Sequence, residues 1–488
     1  MNYPKKYISI LAVVAVIFSA CNRDYLTPNY QTGIASSNAF STATRIANQV
    51  LAMYSSLKAA NFYGGRYQVY GDIRADDWIN QTGNLVTNSD VWALNPTNSA
   101  NAVVGLWAAA YSTINTCNLF IDGMNAGGTT VVGSALSNNY IGEAKFIRAL
   151  SYYSLLQYYA KPYAQGATNP GLPLRLFGIE GSGYSALARS SVGDVYAQII
   201  RDLDSAETLL PSTYSTAYTN TTRAHKNTAI ALKTRVYLSM QNYASVITEA
   251  NKIVNSTAPF SAPTGVANAL NASYTAIFKT PYTSTESILS MPMTTNSGDY
   301  TGSQSALVNY FYSSSGTIGS GEFYLNPSGI IANTSWGTAD TRRTLIYTNA
   351  SGIKTYSKYS ITASPYTDYA PVMRYAEVLL NLAEARARST NTVDAQAVAL
   401  LNAVRHRSDA TVTYTTASFA SVSALTDAII LERRIEFLAE GLRNNDIMRL
   451  LQTIPAKGSI AAVAPGASGY IWPISANELA LNPLCTDN

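Results

Sequence analysis

Histidine, cysteine and charged residues are all scarce in this chain. It has 2 His and 3 Cys in 488 residues, and Asp, Glu, Lys and Arg together make up 13% of it. The chain therefore has too few histidines and cysteines for most catalytic triads and His-based metal sites. The sequence also lacks HExxH, Walker A, GxSxG and CxxC motifs. These absences argue against the common enzyme classes, so we expect no catalytic residue, no metal and no cofactor.

The balance of charge points away from nucleic acid. Removing Lys5 and Lys6, which lie in a predicted leader, leaves 31 of the 33 basic residues against 29 acidic ones, a net charge of +2. By contrast, tyrosine is abundant, with 35 copies in 488 residues. Tyr, Ser, Thr and Asn thus supply much of the polar surface, which suits neutral ligands. The apolar fraction of 47% is ample for a large core.

The N-terminus has the pattern of an export signal. Lys5 and Lys6 precede an apolar run over residues 8–18, and Ser19-Ala20 provides the small residues of a cleavage site. A bilayer span needs about 20 apolar residues, so this run is too short to remain as an anchor. Cys21 follows as in a bacterial lipobox, which predicts a signal peptide over residues 1–20 and lipid attachment at Cys21. The alternative is a plain signal peptide with an incidental cysteine.

The next residues predict a tether, and the other two cysteines leave two alternatives open. Residues 21–36 are polar, contain Pro28 and are expected to form a lipidated N-terminus with a flexible linker. Cys117 and Cys485 could pair in an exported protein. Alternatively, Cys117 is a small buried residue on a helix and Cys485 belongs to a tail.

Most of the chain has the period of amphipathic helices, so the predicted fold class is mostly α. Helices are predicted over residues 37–59, 102–124, 135–159, 192–210, 224–240, 243–254, 371–388, 393–407, 423–440 and 442–452. The pairs at 229–250 and 371–407 place small residues and Tyr where helices approach closely, and they resemble tetratricopeptide repeats. We therefore expect a helical scaffold made of residues 37–255 and 371–488.

Two stretches lack a sustained helical period. Residues 70–96 are irregular and carry two tryptophans, and residues 256–370 are rich in Tyr, Ser, Thr, Gly and Asn with short alternating runs. The second stretch is expected to be an inserted subdomain of loops and short strands that carries a ligand-binding surface.

Four segments together resemble the SusD/RagB family of Bacteroidetes outer-membrane lipoproteins. They are the C-terminal segment over residues 431–450, the helix over 142–150, the helix over 369–387, and Ile471-Trp-Pro-Ile474. One departure is Asn444-Asn445, where family members usually carry an aromatic residue. The spacing of Glu432, Glu436 and Glu440 along one helix face requires arginines to balance them, with Arg433, Arg434 and Arg443 nearby. We expect the motif charges Arg148, Arg374, Glu384, Arg434 and Arg443 to hold helices together.

The resemblance implies a lipid-anchored, cell-surface protein of the outer membrane. Such proteins cover a SusC-type TonB-dependent β-barrel transporter, capture oligosaccharides or in some branches peptides, and deliver them without covalent chemistry. Nucleic acid is not an expected partner.

A receptor for neutral sugars needs flat aromatic surfaces beside amide, carboxylate or guanidinium groups. The irregular regions supply these types, and the predicted ligand-binding residues are Arg74, Asp77, Trp78, Trp92, Asn95, Tyr282, Tyr300, Tyr310, Tyr312 and Trp336. The alternative for each aromatic is core packing, and Trp336 also lies near Asp340 and Arg342, which resemble a structural turn of the family.

Two other classes of function remain. A secreted glycoside hydrolase would use two carboxylates, for which Asp76 and Asp77 are candidates, although neighbours in an extended segment point to opposite sides. A purely structural helical-repeat adaptor would bind no small ligand.

Overall fold

The computed structural model describes residues 38–181, 183, 185–313 and 321–488. The predicted signal peptide, Cys21 and the tether therefore lie outside the described residues. The helices are α1 (Ala43–Leu57), α2 (Arg66–Ile73), α3 (Ser89–Trp92), α4 (Asn101–Gly123), α5 (Thr129–Val132), α6 (Ser134–Tyr159), α7 (Val192–Leu209), α8 (Ala217–Thr222), α9 (Lys226–Ser239), α10 (Tyr243–Ala250), α11 (Leu307–Phe311), α12 (Tyr375–Thr390), α13 (Ala395–Ser408), α14 (Val422–Glu436), α15 (Arg443–Arg449) and α16 (Ala476–Leu481). The strands are β1 (Trp78–Asn80), β2 (Ser287–Met291), β3 (Phe323–Leu325), β4 (Ile346–Thr348), β5 (Lys354–Tyr356) and β6 (Ala370–Arg374).

The helices form a continuous stack of neighbours. α6 packs between α4 and α7, α9 packs against α7 and α10, and α12 packs against α10, α13 and α14. Several helices bury one stripe in this stack, as α1 does with Ile46, Val50, Met53 and Leu57, whereas α9 is buried on nearly all sides. The mostly helical fold class is confirmed, and most predicted helix ends lie within a few residues of the observed ones.

One helix lies where the sequence predicted irregular chain. α2 reaches Ile73, and all eight of its residues are buried, including Arg66, Gln68 and Asp72. A helix surrounded by protein has no solvent-facing side, so its sequence carries no amphipathic period. The helix predicted to begin at residue 371 starts later in the structure. β6 extends to Arg374, and α12 begins at Tyr375.

The segment 256–370 contains short strands that pair with distant parts of the chain. β3 is antiparallel to β1, with Trp78 opposite Leu325, and β2 is antiparallel to β6. β4 and β5 form a hairpin. Buried residues of this segment, such as Tyr310 and Tyr356, belong to the same hydrophobic core as the helices.

α2 meets the loop before α15 at a contact between two glycines. A Cβ added to Gly71 would collide with the backbone carbonyl of Gly441, and one added to Gly441 would lie 2.6 Å from the Cα of Gln68. Gly441 has a φ of +82°, and its N–H donates to Oδ2 of buried Asp72 at 2.6 Å. Burial raises the pKa of Asp72 to about 8. Only glycine combines this close approach with this backbone conformation.

The two described cysteines are both buried and both free. Cys117 lies on α4 within the core, which agrees with the alternative that it is a small buried residue on a helix. Cys485 lies near the C-terminus and is 7% exposed.

Candidate functional site

A cleft of about 760 Å³ opens beside the β1–β3 pair. Its lining residues are Asn80, Gln81, Tyr324, Leu325, Pro327, Ile331, Ala332, Gly352, Ile353 and Lys354. Three further openings each hold about 10 Å³, which is too small for a sugar. The volume of the cleft lies in the usual range of small-molecule sites, about 300–1,000 Å³.

The cleft combines an apolar wall with a few uncharged polar groups. Ile331 and Ile353 supply its exposed aliphatic surface, and Lys354 is the one charged residue among the described residues that line it. The Oδ1 of Asn80 accepts a hydrogen bond from the N–H of Gly83 at 2.6 Å. The Nδ2 of Asn80 is buried and has no hydrogen-bond partner among the described residues.

The β1–β3 pairing positions these groups. Ile79 lies opposite Tyr324, and Asn80 lies opposite Phe323. Beyond the strand, the N–H of Gln81 donates to the carbonyl of Glu322 at 3.0 Å. The ladder therefore continues to Gln81 and fixes the backbone of the polar wall.

Trp78 and Trp92 differ in their exposure. Trp78 is fully buried, with its ring centroid 4.5 Å from that of Phe311. Trp92 is half-buried, and its Nε1 donates to the carbonyl of Trp78 at 2.8 Å. The Trp78 ring has no face for a ligand, because it fills the core beneath the strand whose end lines the cleft.

Arg74 and Asp77 are also enclosed by protein. Arg74 is 1% exposed and donates to Asn444 Oδ1 at 2.9 Å and to the carbonyl of Tyr470 at 2.6 Å. Asp77 is 2% exposed and accepts from Arg434 at 2.6 Å. Burial by itself would raise the pKa of Asp77, but the Arg434 guanidinium holds it below its usual value.

Tyr310 and Trp336 belong to the interior as well. Tyr310 is fully buried, and its hydroxyl donates to the carbonyl of Gln304 at 2.6 Å. Trp336 is 1% exposed, and the guanidinium carbon of Arg343 lies 4.6 Å from its ring centre. The turn at Asp340 also forms, since Oδ1 of Asp340 accepts from the N–H of Arg342 at 2.9 Å.

The other predicted residues keep part of their surface. Asn95 is exposed, and Tyr282, Tyr300 and Tyr312 are half-buried. Tyr312 packs edge-on against Tyr347, with ring centres 5.6 Å apart. Neither Tyr282 nor Tyr300 is among the residues that line the cleft. The structure therefore does not gather the ten predicted residues into one site, and five of them are enclosed in the interior.

Sequence reasoning missed the residues that line the cleft. Tyr324 is one of 35 tyrosines, and its pairing with Ile79 joins positions 245 residues apart. Asn80-Gln81 directly follows Trp78-Ile79, and such an amide pair after a short apolar run could have indicated polar groups at the end of a strand. Nothing in the sequence around Ile353 and Lys354 indicates a binding site, because residues of these types are common in hairpins.

Asp76 and Asp77 share a single arginine. They lie in a turn before β1, and both carboxylates contact Nη2 of Arg434, at 2.8 Å and 2.6 Å. The expectation that they point to opposite sides is wrong, because the segment is not extended. The pKa of Asp77 is held below its usual value by the Arg434 guanidinium, whereas the acid of a glycosidase needs a raised pKa.

A buried cluster of ion pairs surrounds the signature carboxylates. Glu432 and Glu436 contact Nη1 of Arg342 at 2.6 Å and 2.8 Å, and Glu440 contacts Nη2 of Arg374 at 2.7 Å. Glu436 also accepts from Arg374 at 2.8 Å and from Arg407 at 2.6 Å. Among the described residues, the cluster joins Arg342, Lys358, Arg374, Arg405 and Arg407 to Glu286, Asp340, Glu432, Glu436 and Glu440. Five cations thus balance five carboxylates.

The predicted partners of the signature glutamates are wrong, although the structural role is confirmed for most motif charges. Arg433 pairs with Asp446 at 2.9 Å, and Arg434 pairs with Asp76 and Asp77. Arginines next to the glutamates in sequence point to other sides of the helix, so distant residues balance the carboxylates. Arg148 pairs with Asp202 at 2.7 Å, and Glu384 pairs with Arg449 at 2.6 Å.

Arg443 differs from the other motif charges. Its Nε is buried without a hydrogen-bond partner among the described residues. Burial and the nearby Arg434 lower its pKa.

Neither a metal cluster nor a spanning helix is found in the described part of the chain. Within residues 38–488 as described, no group of three or more His, Cys, Asp and Glu side chains is placed to hold a metal ion. In the same part of the chain, no helix is long and apolar enough to cross a bilayer.

Two family profiles match the chain. The profile of the SusD family matches residues 329–488, and the profile described as starch-binding, associating with outer membrane, matches residues 24–238. A curated relative, SusD-like protein P2 of Formosa agariphila, is 25% identical and covers 91% of both chains.

Solved structures of similar fold cover nearly the whole chain. A SusD superfamily protein from Bacteroides fragilis is 31% identical with a TM-score of 0.80, over 92% of this chain and 99% of that one. A laminarin-binding SusD-like protein is 20% identical with a TM-score of 0.68, over 92% of this chain and 99% of that one. Because the protein from Bacteroides fragilis matches in sequence as well as in fold along almost its entire length, the chain belongs to the SusD/RagB family.

Proposed function

We propose that this protein is a cell-surface lipoprotein that captures oligosaccharides and delivers them to a SusC-type TonB-dependent transporter. The observation that carries the proposal is the cleft between Asn80-Gln81 and Ile353-Lys354, with Tyr324 on its wall. Its size fits a few sugar units, and its near-neutral lining fits a ligand rich in hydroxyls.

The groups of the cleft suit sugar recognition in a specific way. The Tyr324 ring offers a flat apolar face to a pyranose, and the side-chain amide of Gln81 offers a donor and an acceptor to its hydroxyls. Binding needs no covalent step, and Asp76 and Asp77, the aspartate pair before β1, are already engaged by Arg434.

Lipidation at Cys21 would hold the receptor at the outer membrane beside its transporter. A single acyl chain anchors weakly, so contact with the transporter would supply the second attachment that stable residence requires. The family profile that names an association with the outer membrane supports this placement.

Electrophoresis through gels that contain laminarin or starch tests the glycan-binding step. The two polysaccharides are chosen because a structural neighbour binds laminarin and a family profile is described as starch-binding. We expect one of them, or another polysaccharide in a wider panel, to retard the wild-type protein.

Tyr324→Ala is the decisive variant. A sugar that covers about 80 Å² of the ring gains about 2 kcal/mol, so its loss weakens binding roughly 30-fold. Phe177→Ala is the matched control, since Phe177 is an aromatic residue that is 77% exposed outside the cleft. Wild-type protein that no polysaccharide retards would refute glycan capture, and new reducing ends in the mixture would indicate a hydrolase.

A further inference from the structure

Five tyrosines form a second aromatic surface, which we name the tyrosine face. Its members are Tyr218, Tyr282, Tyr300, Tyr366 and Tyr369. Tyr218 is 46% exposed, and the other four are half-buried. They come from α8, from the chain on either side of β2, and from the segment that leads into β6. Tertiary structure therefore assembles the face from three separate parts of the chain.

The centre of the face is a stacked pair. The rings of Tyr282 and Tyr369 are 4.6 Å apart and within 14° of parallel. The hydroxyl of Tyr282 donates to Oδ1 of Asp368 at 3.0 Å. Tyr218 and Asp299 lie close enough to Tyr369 to help raise its pKa, after the larger effect of burial.

Tyr300 and Tyr366 extend the face and are anchored below it. Both pack against the main hydrophobic core, and the hydroxyl of Tyr300 lies 3.4 Å from Oγ of Ser364. Tyr366 and Asp368 line the same small opening. The rings are thus held in fixed positions before any ligand arrives, which lowers the entropic cost of binding.

The carboxylates on this face already have partners. Oδ2 of Asp368 accepts from the N–H groups of Ser360 and Ile361, both at 2.8 Å. Asp299 is paired with Lys58, and its Oδ2 accepts from the hydroxyl of Thr294 at 2.6 Å. The carboxylates of this face are therefore already hydrogen-bonded or ion-paired, so the groups it offers to a ligand are aromatic rings and hydroxyls, which suit a neutral ligand.

The tyrosine face is separate from the cleft but near it. The two share no lining residue, and α11 lies between them. Leu307 and Val308, at the start of α11, line the opening beside Tyr366. Phe311, at its end, packs against Trp78 below the cleft. Because one short helix contacts the opening beside Tyr366 at its start and Trp78 at its end, the two surfaces are neighbours in the fold.

We propose that the tyrosine face is a second binding site for neutral sugar units, so that one polysaccharide chain contacts the protein at two places. This inference rests on the proposed function of the cleft. Two linked contacts raise the affinity for a long chain well above the affinity for a short one.

The test compares Tyr369→Ala, Tyr324→Ala and the double variant with wild type, in gels that contain laminarin or starch. Each single substitution should weaken retention on the long polysaccharide roughly 30-fold, as worked out above for Tyr324→Ala, and the double variant should show almost none. Tyr218→Ala removes an exposed ring of the face without disturbing the stacked pair and should weaken retention too. Phe177→Ala is the control and should behave as wild type.

Calorimetry with short oligosaccharides of the same glycan supplies the second measurement. Wild type should bind two molecules, and each single variant should bind one. If Tyr369→Ala and Tyr218→Ala retain full affinity and two-site stoichiometry while Tyr324→Ala loses binding, the tyrosine face is not a sugar site and the cleft proposal stands. Wild-type protein that binds none of the polysaccharides would overturn both proposals.

Discussion

Replacing Glu436 by Gln should destabilise the protein strongly while preserving the shape of the side chain. Glu436 is fully buried and accepts from Arg342, Arg374 and Arg407. Burial by itself would raise its pKa, but Arg407, Arg374 and Arg342 hold that pKa far below its usual value. The carboxylate is therefore charged at neutral pH, and its loss leaves five buried cations facing four carboxylates.

The expected loss of stability follows from this imbalance. Removing one partner of a buried ion pair costs about 3–5 kcal/mol, because the remaining charge is left uncompensated. For about 450 folded residues, the entropy of unfolding is roughly 0.9 kcal/mol per degree. A loss of about 4 kcal/mol therefore lowers Tm by about 4 °C.

Differential scanning calorimetry at one fixed scan rate measures this change. Asp427→Asn is the matched control, because Asp427 is an exposed acid on the same helix, and its Tm should move by less than about 1 °C. If the Tm of the Glu436→Gln variant also stays within about 1 °C of wild type, the balance of charge in the cluster does not contribute to the stability of the protein.

Four further outcomes are expected. Trp78→Ala should lower the free energy of unfolding by about 3–5 kcal/mol in urea titrations, because it empties the core below the cleft. Arg433 and Arg449 lower the pKa of buried Asp446 to about 2 against the effect of burial. Its contribution of about 2 kcal/mol is therefore complete above pH ~4 and lost as the pH falls to ~2, which acid titration of the Tm should reveal. Burial raises the pKa of Cys117, so Ellman's reagent should label this thiol only in unfolded protein, and labelling of native protein would contradict its burial. Cys21→Ser should move the protein from membrane to soluble fractions and leave its glycan affinity in solution unchanged, so a loss of affinity would tie the lipid anchor to the fold.

Helix periodicity predicted the scaffold well because most of its helices have one buried stripe. α1, with Ile46, Val50, Met53 and Leu57 buried, shows that relation clearly. The same argument failed for α2, where Arg66 and Asp72 are buried along with the apolar residues. Sequence periodicity reports the contrast between core and solvent, and α2 has no such contrast.

The candidate site was harder to predict because its residues meet only through tertiary structure. Trp78 and Tyr310 were chosen for their residue type, and tryptophan in particular is as useful to a core as to a sugar site. The fold places both inside and leaves Tyr324, an unremarkable strand residue, on the cleft wall. Composition predicted a polar surface rich in tyrosine but could not say which tyrosines remain accessible, and Tyr324 is the one tyrosine among the described residues that line the cleft.

The contact between Gly71 and Gly441 makes the two halves of the family signature interdependent. The two family profiles match separate segments of this chain. Gly71 lies in the N-terminal segment and Gly441 in the C-terminal one, and their contact packs one segment directly against the other. An N-terminal fragment made alone would leave α2, with its buried Arg66 and Asp72, without the surface that encloses it. We therefore expect both positions to remain glycine, because a side chain added at either one would collide with the backbone of the other segment.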